Sequence, residues 1–388
     1  MKILILSETY PPNNPGGVGK VAKFISEGLA LSGFRVDVVC FDSKQNTIEK
    51  HGNLRIFRIK ENEAESGFPV TDARKDKIIQ LLDTLHSSME YDIIHDIGGY
   101  QFANVIEEFV NGVNIHCISH LLMLMKPYVE ARGIKGELVD YFYEFQKKQC
   151  KKSDAIIVTS TSDKEKFRTL YPDIRKPLCL IYNCIEIPYL LNINKVNEWR
   201  KKLLGESQLV LFFGGRINDP VKGADRIAQF VKNLNDSHID AKLVGTNLLG
   251  VDSNSVFGVP FLDLGRLNED EFYNMLAAVD FVLCPSRYEA FGMLPAEAES
   301  LGVKVIASNI GGLRETVGNI HGSLQLNNSG WKNTSQSTIN HINSFVGKWD
   351  DNRKITIPEI FSCETIINKI INLYEKIDVD FDSKYIPK

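Results

Sequence analysis

Short, unbroken apolar runs recur along the chain, at residues 2–6, 36–41, 54–59, 92–94, 113–118, 155–158 and 178–182. Runs of this length without polar alternation mark strands buried on both faces, as in a parallel sheet covered by helices. Between most of them the apolar spacing changes to three and four, which predicts helices over 18–32, 73–87, 102–110 and 128–151. Another helix opens at Ser162, where Ser162 and Glu165 match an S-x-x-E capping box. A polar, lysine-rich stretch at 192–207 then interrupts the alternation. It resumes with strands at 209–213, 241–244, 259–264, 281–284 and 303–307, and with a helix capped by Asn268 and Glu271. Residues 318–353 are polar and irregular, and a last amphipathic helix at 364–377 is placed to return from the second array toward the first.

Two successive strand and helix arrays predict an α/β protein of two doubly wound, Rossmann-like domains facing each other across a cleft. The expected division is 1–190 for the first domain and 191–375 for the second, with 376–388 a tail returning to the first. Ligands in such sheets bind at the carboxyl ends of strands, so the loops there are where chemistry is sought.

Composition narrows the function classes. The 388 residues are 43% hydrophobic and carry a formal net charge of −4, enough core for two domains and no basic field for a nucleic-acid backbone. The seven cysteines are scattered through apolar runs and read as small core residues rather than a disulfide or metal framework. No apolar run approaches the roughly 20 residues of a membrane span, so a cytoplasmic protein is expected.

The strongest local pattern follows the strand at 281–284: Arg287-Tyr288-Glu289-Ala290-Phe291-Gly292-Met293-Leu294-Pro295-Ala296-Glu297. Gly292 allows close backbone approach, and Pro295 suits the first position of a helix because it has no amide hydrogen to leave unpaired. That start places Glu297 near the third helical residue and Glu289 on the preceding loop. A helix N-terminus offers unpaired amides and partial positive charge to a diphosphate, and a carboxylate beside it can accept two hydrogen bonds from a ribose diol. Glu297 is therefore assigned to ribose and Glu289 to the transferred sugar, with Phe291, Gly292, Met293 and Leu294 expected around the donor. Taken alone, the plainer reading is equally good: Glu297 caps its own helix and Glu289 is a solvated loop residue.

The context lies in Phe212-Phe213-Gly214-Gly215-Arg216, followed by Lys222-Gly223. Two cations around a glycine-containing turn at a strand end can neutralise a diphosphate leaving group, so Arg216 and Lys222 form the expected electrophilic pair. In the first array, the loop from Ser7 through Asn13, Asn14 and Pro15 to Gly16, Gly17 and Gly19 joins the first strand to the first helix, and its glycines can offer amides to a phosphate. Asp42 stands where a dinucleotide fold would place its ribose acid, but the loop is too long and proline-rich for G-x-G-x-x-G, which argues against NAD. His120 and His95 each close a strand at the expected carboxyl edge, where a histidine can position an acceptor or donate to a sugar hydroxyl. His116, inside its strand, reads as structural.

These segments resemble the retaining family 4 glycosyltransferases of GT-B fold (glycosyl transferases group 1), over nearly the whole chain. The most specific mark is E-x7-E, met by Glu289 and Glu297; Gly16-Gly17, Gly215-Arg216, Lys222-Gly223, His120, Ser153-Asp154-Ala155, Gly311-Gly312 and Phe361-Ser362 support it. The chain departs from the family at Asn183-Cys184-Ile185-Glu186, at Glu297-Ala298-Glu299-Ser300 and at Gly302-Val303-Lys304-Val305. The resemblance implies that Arg216 and Lys222 hold the donor diphosphate, that the second glutamate holds ribose and that the first lies by the donor sugar. His120, Glu289, Arg216 and Lys222 are then the catalytic set.

It also implies front-face transfer, with retention, of a hexose or N-acetylhexosamine from a nucleotide sugar to a hydroxyl of a glycan, glycolipid or small molecule. UDP is the base expected because it is the commonest in the family. Arg216 and Lys222 would remove the need for a metal or other cofactor, and the Asp378-Val379-Asp380 pattern reads as a solvated acidic tail. Other readings are a nucleotide-sugar epimerase or phosphorolytic enzyme of the same fold, or a non-catalytic sugar-nucleotide or glycan-binding module. The run Leu121-Leu122-Met123-Leu124-Met125 is either core or an apolar floor for a lipid-linked acceptor. Lys147, Lys148, Lys151 and Lys152 are either a solvated helix face or a peripheral contact with the inner face of a membrane.

Overall fold

The computed structural model describes residues 1–12, 16–42, 46–60, 72–98, 102–188, 190–246, 259–349 and 353–385, with the backbone alone at 72–73 and 378–385. The chain divides into two compact units: Met1–Lys126, Gly136–Cys184 and Glu359–Lys388 form the first, Pro127–Lys135 and Ile185–Pro358 the second. The last helix, Cys363–Tyr385, thus groups with the first unit, whereas the sequence drew the second domain to residue 375. Asn13–Pro15 of the first loop lie outside the described residues, as do the side chains of Asp378 and Asp380.

The first unit holds strands β1 (Lys2–Ser7), β2 (Arg35–Asp42), β3 (Thr47–His51), β4 (Leu54–Lys60), β5 (Ile93–Ile97), β6 (His116–Leu121), β7 (Ala155–Val158) and β8 (Leu178–Leu180). Their order is β3-β4-β2-β1-β5-β6-β7-β8, parallel throughout except for the β3/β4 pair. Order reverses between β1 and β5, the switch point at which the carboxyl ends of neighbouring strands open a crevice. Both faces are covered. Leu4 and Leu6 of β1 join Phe41 and Phe57 in a cluster with Ile78 and Leu82 of the helix Asp72–Met89, while Ile3 and Ile5 on the opposite face are equally buried. On the helix Gly17–Leu31, a side chain at Gly28 would strike Ile367 at 2.5 Å, so that glycine lets the last helix dock closely.

The second unit holds β9 (Leu209–Phe213), β10 (Ala241–Gly245), β11 (Phe261–Asp263), β12 (Phe281–Cys284), β13 (Lys304–Ser308) and β14 (Leu324–Leu326), all parallel in the order β11-β10-β9-β12-β13-β14. Its switch point lies between β9 and β12. Leu211, Leu283 and Ile306 pack there with Phe230 and the fully buried Trp331.

Several local expectations are corrected. The polar stretch after residue 191 is the helix Ile193–Leu204, capped by Asn192, whose side chain accepts from the amides of Asn194 and Lys195, and ended by Gly205 at φ 55°. Its Arg200 is buried and donates to Asp280 at 2.7 Å, while the amide of Val210 donates to the same carboxylate oxygen. One buried ion pair thus seats a helix whose composition looks like linker. The single helix expected over 128–151 is two, Met125–Ala131 and Glu137–Lys152, separated by Gly133 and Gly136 in left-handed conformations. The helix expected to open at Ser162 is Thr161–Leu170, and its cap is Ser160, which accepts from the amide of Asp163 at 3.2 Å. Asn268 and Glu271 do form the full capping box. Among the described residues no helix is long and apolar enough to cross a membrane.

Candidate functional site

In the second unit, the loops after β9 and β12 flank the switch point and hold most of the predicted residues. After β9 the chain turns through Gly214 and Gly215 to Arg216, then into the short turn Pro220–Lys222. A side chain at Gly214 would lie 2.6 Å from Leu294, and one at Gly215 would lie 3.1 Å from Cβ of Lys222. Gly214 therefore lets this loop lie against the start of the helix Met293–Ser300, and Gly215 lets the loop fold back on its own Lys222. Gly223 follows at φ 70°, and a Cβ there would stand 2.2 Å from the carbonyl oxygen of Pro285, so only glycine lets this turn meet the loop after β12.

Lys222 Nζ donates to Glu289 Oε2 at 2.8 Å, and Ser286 Oγ lies 3.4 Å from the same oxygen. Burial disfavours the charge on Lys222, but Glu289 outweighs it and holds the ammonium above its ordinary pKa, with Arg216 acting in the opposite direction. Arg216 is more open, its side chain 60% exposed, and reaches Asp219 at 3.4 Å. Asp219 is buried, caps the short turn through the amide of Val221, and also lies 3.7 Å from Arg132.

Glu289 is fixed from behind. Its carbonyl oxygen accepts from the amide of Gly312 at 3.0 Å, and a Cβ at Gly311 would sit 2.1 Å from that oxygen. Helix formation starts earlier than the sequence suggested. Gly292, at φ 99°, precedes Met293 as first helical residue, which makes Pro295 the third and Glu297 the fifth. The proline still costs nothing, since amides throughout the first turn lack an intrahelical acceptor. Glu297 is 3% exposed, and the Tyr273 hydroxyl lies 3.2 Å from its Oε1 and 3.2 Å from the carbonyl of Glu186. One hydroxyl proton serves one of these acceptors at a time. Phe291 is buried, with Met293 and Leu294 half-buried beside it.

The departure at Glu299 has a structural explanation. Two residues from Glu297, and so on another side of the helix, its carboxylate accepts from the amides of Gly318 and Asn319, both at 2.8 Å. Lys304 opens β13 with its ammonium 4.7 Å from the Phe345 ring centre. At Asn183–Glu186, the group facing the Tyr273 hydroxyl is the Glu186 backbone carbonyl, so the side-chain change leaves that contact intact.

In the first unit, Gly16 caps the helix Gly17–Leu31 at the carboxyl end of β1. A Cβ at Gly16 or Gly17 would meet nothing within 4 Å, so packing among the described residues does not require glycine at either position. His120 lies next to last in β6 and is 1% exposed, stacked on His95 with ring centres 5.4 Å apart. His95 does not close its strand as expected: β5 continues to Ile97, and His95 Nδ1 shares a 2.5 Å hydrogen bond with the Tyr374 hydroxyl. Burial pushes His120 down to about 3 and His95 well below its ordinary value, so both rings are neutral. His116 begins β6 rather than lying inside it, 3.5 Å from Asp154.

Sequence reasoning missed Tyr273, Asp219 and the buried Arg226, which donates to the carbonyls of Pro285 at 2.9 Å and Ser286 at 3.2 Å. No local spacing distinguishes these from ordinary polar residues; tertiary placement alone gives them their roles. Leu121 and Leu124 are core residues, and Lys147 and Lys151 both lie 3.2 Å from Asp173. Among the described residues no group of three or more His, Cys, Asp or Glu side chains is arranged to hold a metal ion.

Two parallel α/β sheets, with paired glutamates and cations gathered at the switch point of the second, define a glycosyltransferase of the GT-B fold. The family model for Glycosyltransferase Family 4 matches residues 15–187, and that for Glycosyl transferases group 1 matches residues 262–336. The chain belongs to this group 1/family 4 class of glycosyltransferases. It is 23% identical over 408 aligned positions to an uncharacterised glycosyltransferase of Methanocaldococcus jannaschii, covering 97% of this chain and 98% of that one. The solved sucrose-phosphate synthase of Thermosynechococcus elongatus superposes with a TM-score of 0.77 at 18% identity, covering 98% of this chain and all of that one. Anabaena HepE, solved with UDP and glucose, superposes with a TM-score of 0.69 at 18% identity, covering 97% of this chain and all of that one.

Proposed function

We propose that this chain is a retaining glycosyltransferase moving a hexose or N-acetylhexosamine from a UDP-linked donor to a hydroxyl of a glycan, glycolipid or small molecule, without a metal. The observation that carries this reading is the 2.8 Å pairing of Lys222 with Glu289 at the carboxyl edge of the second sheet. A nucleotide sugar places an anionic diphosphate directly beside a neutral, hydroxyl-rich ring. A fixed cation beside a fixed carboxylate matches that junction, Lys222 turning to the phosphate and Glu289 accepting from sugar hydroxyls.

Arg216 and the first amides of the helix Met293–Ser300 add positive potential where the leaving group gains charge, and Glu297 takes the ribose diol. As the bond between the anomeric carbon and the phosphate oxygen breaks, the acceptor oxygen bonds to that carbon from the same face and its proton passes to the departing phosphate. UDP rests on the UDP-bound HepE neighbour and on the family resemblance.

The test is a release assay with UDP-glucose, UDP-galactose and UDP-N-acetylglucosamine in excess EDTA, with product linkage read by NMR. Nucleotide release that survives EDTA, with product of the donor's anomeric configuration, is expected. Inverted product, or activity abolished by EDTA and restored by a divalent cation, contradicts the reading.

A further inference from the structure

The two segments that carry Lys222 and Glu289 are fastened to each other from both sides. From the turn Ala224–Arg226, the buried Arg226 reaches across and donates to the carbonyls of Pro285 at 2.9 Å and Ser286 at 3.2 Å. From the loop after β12, Arg287 reaches back. Its guanidinium donates to the Pro220 carbonyl at 2.7 Å and to the two oxygens of Asp225 at 2.8 and 2.6 Å, and its amide donates to the Val221 carbonyl at 2.7 Å. Lys222 stands between the groups that Arg287 grips, with Pro220 and Val221 before it and Asp225 after it, while Glu289 follows Arg287 by two positions. Each segment thus supplies one arginine and the carbonyls that receive the other.

These contacts differ in kind from the ion pair they surround. A planar guanidinium that holds two carbonyls, or both oxygens of one carboxylate, fixes direction as well as distance. The Lys222 ammonium is a point charge on a flexible stem and meets Glu289 through a single oxygen. Arg226 is itself set by Ser308, whose hydroxyl lies 3.5 Å from the same guanidinium nitrogen and accepts from the indole of the fully buried Trp331 at 3.0 Å. On the proposed reading a donor must break the ion pair, because Lys222 turns to the diphosphate and Glu289 to the sugar. That contact cannot then also keep the two segments in register. The arginine contacts use none of the atoms that the donor takes.

We infer that Arg226 and Arg287 form a reciprocal clasp: they are positioning residues that hold the Lys222 turn and the Glu289 loop at a fixed separation while the ion pair between them is exchanged for the donor. The inference rests on the transferase reading of this site.

Hydrogen exchange of the full chain, read by mass spectrometry on peptides covering 219–226 and 285–292, tests it without calling on activity. Arg287→Ala and Asp225→Ala open the half-exposed side of the clasp, and Glu289→Gln neutralises the ion pair. Exchange in both peptides is expected to rise at least about fivefold in the first two variants and to stay within about twofold of the parent in the third, with the rest of the second unit unchanged. With whichever UDP-sugar the parent turns over, Arg287→Ala should lower kcat at least about tenfold at donor saturation while KM for the donor moves less than about threefold. Its melting temperature should stay within about 3 °C of the parent, which separates lost positioning from lost stability. Parent-like exchange in the Arg287 and Asp225 variants, faster exchange in Glu289→Gln, or a kcat that Arg287→Ala leaves unchanged overturns the proposal. Absence of turnover by the parent with any nucleotide sugar counts against the transferase reading instead, and exchange then decides the clasp.

Discussion

Lys222 and Glu289 neutralise one another at 2.8 Å, so on the proposed reading a diphosphate arriving at the loop meets a cation already oriented. Lys222→Ala should therefore reduce kcat by about 10²- to 10³-fold, measured under donor saturation, because the charge it offsets grows in the transition state. On the proposed reading, in which Glu297 takes the ribose, Tyr273 supports the donor through that carboxylate. Tyr273→Phe should weaken nucleotide binding by a few-fold and lower stability by about 1 kcal/mol, read by titration and denaturant unfolding. His120 differs from an ordinary active-site histidine. Fully buried and pushed down to about 3, it is neutral across the physiological range and can act only as a hydrogen-bonding imidazole. A kcat/KM profile for His120→Asn should thus run lower than, but parallel to, that of the parent between about pH 5 and 8. An inflection near 6 that disappears in the variant would contradict this.

At the scale of elements, the loop after β12 takes its shape from the Gly311-Gly312 turn, whose missing Cβ atoms let it lie against the backbone of Glu289 and Ala290. Gly311→Ala should displace Glu289 and cost more activity than stability, checked by assay and melting temperature together. The strands carrying both loops were legible because buried parallel strands write themselves as apolar runs: 155–158, 209–213 and 281–284 were read at their observed bounds. Exposed edge elements were not, since β3 is a half-exposed antiparallel strand and β14 spans three residues inside a polar stretch. Glu289, Lys222 and Gly292 were legible from spacing near strand ends, whereas Tyr273 comes to the site from a helix remote in sequence, and Arg226, in the turn just after Lys222, takes its role from the carbonyls of a distant loop. The β5 strand also holds an unflagged titrating group. Burial pushes Asp96 up to about 7, with Gln149 donating to it at 2.5 Å. A carboxyl raised in the folded state binds more protons than in the unfolded chain, so it costs stability as pH rises from about 4 through 7. Asp96→Asn should raise the melting temperature at pH 8 relative to the parent, and the difference should shrink as pH falls below about 7 and vanish near about pH 4.

At the scale of the whole molecule, each unit has its own sheet and switch point, and the last helix belongs to the first unit, where Tyr374 meets His95 and Ile367 fills the space over Gly28. Ending the chain at Pro358 should uncover that core and strongly destabilise the first unit, seen as loss of its cooperative melting transition. The central claim is that the second unit is a nucleotide-sugar site built on Lys222, Glu289 and Glu297. Thermal shift against UDP, GDP, ADP and their common sugar conjugates, repeated on Glu297→Ala and Lys222→Ala, tests it most directly. A rise in melting temperature specific to one nucleotide, abolished by both substitutions, is the predicted result. No rise with any nucleotide, or a rise that both variants keep, would contradict the account.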